Sequence, residues 1–442
     1  MKKHLAAAAS FAGVVLSAAP AAAQDTAKID PADTAFMIAA TALVLLMTLP
    51  GLALFYSGMV RKKNVLATMA QSLAATAVVS LLWGLSGYSL AFTSDAGSAL
   101  QPYIGSMSRA FLAGIGPETI NPLAKTIPEV LFMAYQMTFA VITCALVGGA
   151  VAERMRFSAF MLFCVLWLFV VYVPSAHWVW GDGFLQKLGL LDFAGGTVVH
   201  INAGVAGLVA ALVMGVRQGY GKENLSPFDL SLAVIGTGLL WVGWFGFNGG
   251  SALSAGSRAV FAIVATHMAA CAGALVWSAL EWAQRGKPSV LGVISGAVAG
   301  LGTITPASGY ILPWHGMVIG LAAGAVCYVS CTWLKQKLRY DDSLDVFGVH
   351  GVGGMLGTLL AGVFATRFVT ASGDDPGVSG LLEGDAHQLV VQAIGVGVTI
   401  VWCAIGTFVV LKIVDALTPL RVQSDEEREG LDIALHGEAL HQ

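Results

Sequence analysis

Charge is what this sequence has least of. Only 11% of its 442 residues are Asp, Glu, Lys or Arg, where an ordinary soluble domain carries about 25%. Hydrophobic residues make up 57% of the chain, more apolar surface than a soluble interior of this size can hide. The net charge is −3 and no basic patch is interleaved with aromatics, which excludes nucleic acid as a partner. Six cysteines are present (Cys144, Cys164, Cys271, Cys327, Cys331, Cys403), but all lie in apolar runs and none forms a CxxC pair. That pattern reads as small packing residues, not as a disulfide framework or a thiolate metal site. No nucleophile–base pattern points to an enzyme and no motif calls for a cofactor.

What the chain does have is a succession of apolar runs about 20 residues long, the length that crosses a bilayer. Eleven candidate spans cover residues 34–56, 67–92, 130–151, 157–173, 197–216, 230–247, 259–282, 290–304, 317–333, 349–366 and 388–417. The eighth is short, and Gly292, Gly296, Gly300 and Gly302 along it invite close backbone packing. Ahead of them, Lys2 and Lys3, the apolar stretch from Leu5 to Leu16 and Ala21-Ala22-Ala23 read as a secretory signal peptide over residues 1–23, cut before Gln24. Cleavage would leave the mature N-terminus outside. With that start, 15 of the lysines and arginines beyond residue 23 fall on cytoplasmic segments and 6 on outer ones. The positive-inside rule is obeyed, and an odd number of spans places the C-terminus inside.

Two segments resemble each other across the chain. The fifth span carries DFAGGTVVHINAG from Asp192 to Gly204, and the tenth is entered through DVFGVHGVGG from Asp345 to Gly354. Five spans separate them, so the second copy is inverted in the membrane, an arrangement that transporters use to build a site at the repeat interface. The expected fold is therefore an all-α polytopic membrane protein: an inverted 5+5 repeat plus a final, eleventh helix.

Each copy holds one histidine, His200 and His350, inside an apolar span. A polar ring in lipid needs partners for its donor and its acceptor. Two such rings at matching places can share a proton in an N–H···N bond and offer donors and acceptors to a small, water-like solute. A metal is the competing reading, but no Cys, Asp or Glu motif supplies further ligands at a suitable spacing. His267 lacks the glycine-rich setting and reads as structural or interhelical.

FAGGTVVHINAG, GWFGFNGGSA, DVFGVHGVGG, AERMRFS and the terminal EREGLDIALHGE resemble the ammonium transporter family of bacterial Amt, fungal Mep and animal Rh proteins, with the bacterial Amt branch fitting best. The resemblance implies a homotrimer in the cell inner membrane in which every subunit has its own pore. It matches His200 and His350 to the twin pore histidines. Trp180, Phe139 and Ser251 match an outer cation site, and Asp192 the acid that supports the recruitment site. Phe139 and Phe247 match a stacked aromatic gate, joined by Tyr135 where many bacterial members carry Phe. Its substrate would be ammonium or ammonia, with methylammonium as an analogue. The tail over residues 421–442 would be regulatory, with a PII-type signal protein as its partner on the cytoplasmic face. A Rh-like gas channel, an ammonium sensor and a histidine-bound metalloenzyme are the alternatives. The motifs around Trp180, Ser251 and EREGLD favour the Amt type.

Overall fold

The computed structural model describes residues 27–95 and 97–440, so the leader read over residues 1–23 lies outside them. Among the described residues the architecture is helical, with only two isolated β-bridges. In chain order the main helices are α1 (Pro31–Met59), α2 (Lys62–Phe92), α3 (Glu129–Val151), α4 (Phe157–Lys187), α5 (Gly196–Met214), α6 (Leu230–Gly249) and α7 (Ser257–Arg285). They continue with α8 (Val290–Ile304), α9 (Pro313–Leu338), α10 (Phe347–Phe364) and α11 (Ala386–Leu417). Ten of these are long and apolar enough to cross a bilayer, as a multi-pass membrane protein requires; α8, with 15 residues, is the shorter exception. At 1.5 Å per residue α8 rises only about 22 Å.

Small residues decide how the short helix packs. A Cβ on Gly300 of α8 would stand 2.2 Å from the Ala269 carbonyl of α7, and one on Gly320 of α9 would stand 2.3 Å from the same oxygen. Only glycine permits that approach, and backbones this close gain van der Waals contact that lipid cannot supply.

The largest difference from the sequence reading is at α4. The span expected to end at residue 173 continues through Pro174 to Trp180, breaks at Gly181 and closes with a short turn at Phe184–Lys187. A wide π-helical turn at Leu168–Tyr172 precedes the proline. Its loosened hydrogen-bond ladder accommodates a residue that has no N–H to give.

The most connected charge network lies at one end of the bundle. Arg217 pairs with Glu153 at 3.1 Å and Asp341 at 2.8 Å, and Arg61 joins Glu153 at 3.0 Å. Burial alone would raise the Glu153 and Asp341 carboxyls, but their arginine partners outweigh it and hold both below the usual range. The tail helices α12 (Ser424–Glu429) and α13 (Leu431–His436) dock on this end. Glu427 accepts from Arg421 and from the Gln218 amide, each at 2.7 Å, and Asp432 caps the Ala67 amide at 2.8 Å. The acidic tail is thus held by specific bonds and is not a solvated end.

Candidate functional site

Three cavities succeed one another between the Trp180 end and the Arg217 end. The first, about 170 Å³, is lined by Phe139, Trp180, Ser251, Phe193, Phe132 and Gln136. The second is a slot of about 10 Å³ bounded by His200, His350, Phe247, Trp244 and aliphatic side chains such as Ile142 and Val199. The third, about 130 Å³, reaches His350 from Tyr56, Ser295, Ser343 and Asp345. The slot is at the lower limit for a single water. The imidazoles are the most polar groups on its wall.

Stacked aromatics separate the first cavity from the slot. Phe139 and Phe247 lie 4.2 Å apart between centroids at 27°, and Phe139 meets Trp180 edge-on at 5.8 Å and 87°. Phe247 in turn stands 6.2 Å from the His200 ring. Tyr135 sits behind this stack and lines none of the three cavities. Its hydroxyl reaches the Phe247 carbonyl at 2.8 Å and the Gly246 carbonyl at 3.0 Å, with Ser251 Oγ at 3.3 Å. It braces the Phe139–Phe247 stack from outside the cavities. Ser251 donates its own proton to the Phe247 carbonyl at 2.8 Å, so its lone pairs are left to accept.

Both histidines sit on π-helical turns, His200 in Gly196–Ile201 and His350 in Phe347–Gly351, and Phe247 occupies another at Phe245–Gly249. A π turn carries one extra residue and swings a side chain off the regular helical face, which is why such turns collect at functional sites. Beside the pair the backbones of α5 and α10 nearly touch: a Cβ on Gly204 would lie 2.2 Å from Gly351 N and Cα. The Nδ1 atoms of His200 and His350 are 3.2 Å apart, with ring planes 12° from parallel.

One of the two Nδ1 atoms must carry the proton, and a residue the sequence reading missed helps to decide which. Thr305 Oγ1 accepts from Trp244 Nε1 at 2.9 Å, and lies 2.9 Å from the Leu301 carbonyl and 3.3 Å from His200 Nε2. When its single proton goes to the carbonyl, His200 Nε2 must donate, His200 Nδ1 accepts, and His350 Nδ1 carries the shared proton. Turning that hydroxyl to His200 Nε2 reverses the chain of tautomers. Thr305 caps the end of α8, two residues after Thr303, with no motif to mark it in the sequence.

Asp192 is buried and fully engaged. One oxygen accepts from the Gly195 and Gly196 amides at 2.7 and 2.6 Å, the other from the Thr197 amide and hydroxyl at 2.8 and 2.5 Å. Its carbonyl accepts from Trp180 Nε1 at 2.8 Å, tying the start of α5 to the first cavity. The carboxylate therefore acts on the cavity through the backbone it holds. Asp342 stands eight residues before His350, as Asp192 stands before His200. Asp342 Oδ2 caps the Phe347 amide at 2.7 Å. Asp345, which opens DVFGVHGVGG as Asp192 opens DFAGGTVVHINAG, pairs with Lys335 at 2.7 Å and faces the third cavity. His267 is exposed on the outer face of α7 and accepts from Trp241 Nε1 at 3.2 Å, apart from the three cavities. No cluster of three metal-ligating side chains occurs among the described residues.

Residues 35–440 match the model of the Ammonium Transporter Family. The chain belongs to this family. It is 49% identical over 410 residues to an ammonium transporter of Bacillus subtilis, covering 93% of this chain and 98% of that one. It is 43% identical to ammonium transporter Amt1 of Archaeoglobus fulgidus, covering 92% and 99%. Among solved structures, Mep2 of Saccharomyces cerevisiae superposes with a TM-score of 0.83 at 37% identity, over 90% of this chain and 88% of that one. A structure titled as a sensor Amt protein superposes with a TM-score of 0.82 at 28% identity, over 92% and 98%. Family membership and the ten apolar helices make this a membrane-embedded protein of the ammonium transporter family.

Proposed function

We propose that this protein captures ammonium in the cavity at Trp180, removes its proton at the aromatic gate, and passes ammonia through the slot beside His200 and His350. The observation that carries the reading is the slot itself: an imidazole pair 3.2 Å apart in an otherwise apolar passage of about 10 Å³, between two larger cavities. A bare cation there would be stripped of water, which costs several kcal/mol or more. Ammonia carries no charge and can exchange hydrogen bonds with ring nitrogens. The Trp180 and Phe139 faces attract a compact cation, roughly 0.5–2 kcal/mol each, and Ser251 Oγ accepts a hydrogen bond from one of its N–H groups. Potassium can use the aromatic faces but has no proton to donate or to lose, which gives the selectivity. The proton follows separately through tautomer exchange along the histidine pair, and ammonia is reprotonated in the third cavity.

The wider assembly follows the same reading. Eleven helices, counting short α8, form an inverted 5+5 repeat closed by α11, with a cleaved leader over residues 1–23. Three such subunits make a homotrimer in the inner membrane, N-terminus outside and C-terminus in the cytoplasm. The docked tail and the Arg217 end offer the face for a PII-type protein. Ammonium pulses on reconstituted protein in a solid-supported membrane test the scheme. The wild type should give a transient current that potassium does not, and replacing both His200 and His350 by apolar residues should abolish it. Absence of current in the wild type, or undiminished current in the double variant, would defeat the mechanism.

A further inference from the structure

The first cavity contains a polar side chain that the mechanism above leaves idle. Gln136 is 8% exposed, lines the cavity with Phe139, Trp180 and Ser251, and its Oε1 is buried with no hydrogen-bond partner among the described residues. An unpartnered buried amide oxygen costs roughly 1–3 kcal/mol. Such a group in a folded protein calls for a ligand that completes it. Gln136 precedes Phe139 by three residues on α3, so both project from one helix face.

The other acceptors nearby are accounted for. The Asp192 oxygens are taken by amides and by Thr197. The Tyr135 hydroxyl lines none of the three cavities, and Gln186 Oε1 accepts from the Asp182 amide at 2.7 Å. Ser251 keeps lone pairs, because it donates to Phe247. A tetrahedral ammonium directs four N–H bonds. The edge-on arrangement of Phe139 and Trp180 offers two π faces in different directions, and Ser251 offers one oxygen. One N–H remains without a partner. We infer that Gln136 Oε1 takes it, as the fourth ligand of the cation in this cavity, and so sets the preference for ammonium over alkylated ammonium ions. Methylammonium has only three N–H bonds, so its methyl group must replace one of these contacts.

This inference rests on the capture role given to the cavity, and the test separates the two. Currents on the reconstituted full chain are recorded against ammonium and methylammonium concentration for wild type, Gln136→Met, Gln136→Glu and Trp180→Leu. Gln136→Met keeps the volume and removes the acceptor. The half-saturating ammonium concentration should rise about tenfold, the maximal current should change little, and methylammonium should lose less, so the preference between the two ions narrows. Gln136→Glu keeps the shape and an acceptor, so it should bind ammonium at least as well as wild type. It also stands in should the Met variant be recovered misfolded by size-exclusion profile. Unchanged half-saturation in Gln136→Met beside a clear rise in Trp180→Leu would overturn the ligand role. So would a loss in Gln136→Glu equal to that in Gln136→Met, which packing alone would explain. A wild type without ammonium current would instead remove the capture reading on which the inference stands.

Discussion

The two halves of the molecule meet at the histidine pair, and they prepare it differently. In the first half Asp192 accepts four short hydrogen bonds at the start of α5. In the second, Asp342 caps α10 through a single short bond from Phe347, and its Oδ1 has no hydrogen-bond partner. The same spacing to a histidine on a π turn therefore carries a saturated carboxylate on one side and a half-satisfied one on the other. Lys335 lies near the second, donating to the Asp342 carbonyl at 2.6 Å and to Asp345 at 2.7 Å. The saturated half is built for rigidity where the cation would be captured. The other keeps a group that can change its protonation near the opposite mouth.

The contrast breaks most severely at the crossing of α5 and α10. A methyl on Gly204 would meet the Gly351 backbone at 2.2 Å, which cannot yield without separating the helices. A methyl on Gly351 would meet chiefly the Phe347 ring at 2.7 Å and Gly204 Cα at 3.3 Å, where a side chain can turn aside. Overpacking of this kind costs about 1–3 kcal/mol and more when backbone must move. Gly204→Ala should abolish ammonium current and lower the midpoint of thermal unfolding in detergent, while Gly351→Ala retains part of both. Equal loss in the two would show that the crossing is as soft on one side as on the other.

Next in size is the exchange of each carboxylate for an amide. In Asp192→Asn the amide oxygen can still serve Gly195 and Gly196, but the new NH₂ faces the Thr197 amide, a donor against a donor. Leaving buried donors unmet costs roughly 1–3 kcal/mol apiece. In Asp342→Asn the oxygen can keep the Phe347 amide and the NH₂ takes the position where no partner is lost. Asp192→Asn should therefore depress both stability and transport, and Asp342→Asn should leave stability within about 1 kcal/mol of wild type. Unfolding monitored by tryptophan fluorescence, alongside ammonium currents, reads both. The ordering inverts if Asp342 is the structural member of the pair.

How much of this asymmetry could be read in the sequence is itself instructive. The apolar runs, the two histidines and the glycine-rich motifs around them were legible, because burial in lipid imposes composition over whole segments. The partner of Asp192 was not. Asp345 shares the acid–aromatic–glycine order with it, yet the loop geometry gives the capping position to Asp342, three residues earlier, where no motif marks it. The continuation of α4 past residue 173 was not legible, because the π turn that accommodates Pro174 has no sequence signature. Thr305 meets Trp244 and His200 only through tertiary packing, and the bracing hydroxyl of Tyr135 points at carbonyls 111 and 112 residues away. Segments were readable; pairwise contacts were not.

The smallest expected effect sharpens the comparison in a different variable. Burial raises the Asp342 carboxyl to about 6, with Asp345 adding to the rise and Lys335 opposing it. A carboxyl raised in the folded state contributes stability that is present below its unfolded value near 3.9 and lost as pH rises through about 6. Glu153 and Asp341, held low by their arginines, contribute in the opposite sense and only around and below pH 4. The interval between pH 7 and pH 5 thus isolates Asp342 among these acids. Acidifying across it should raise the unfolding midpoint of wild type by about 1–3 °C relative to Asp342→Asn, measured in the same detergent. Histidines that titrate in the same interval are common to both proteins and cancel in that difference. Identical pH profiles for the two would mean that Asp342 is already ionised at pH 5, and that Lys335 neutralises the second half as completely as the amides satisfy Asp192 in the first.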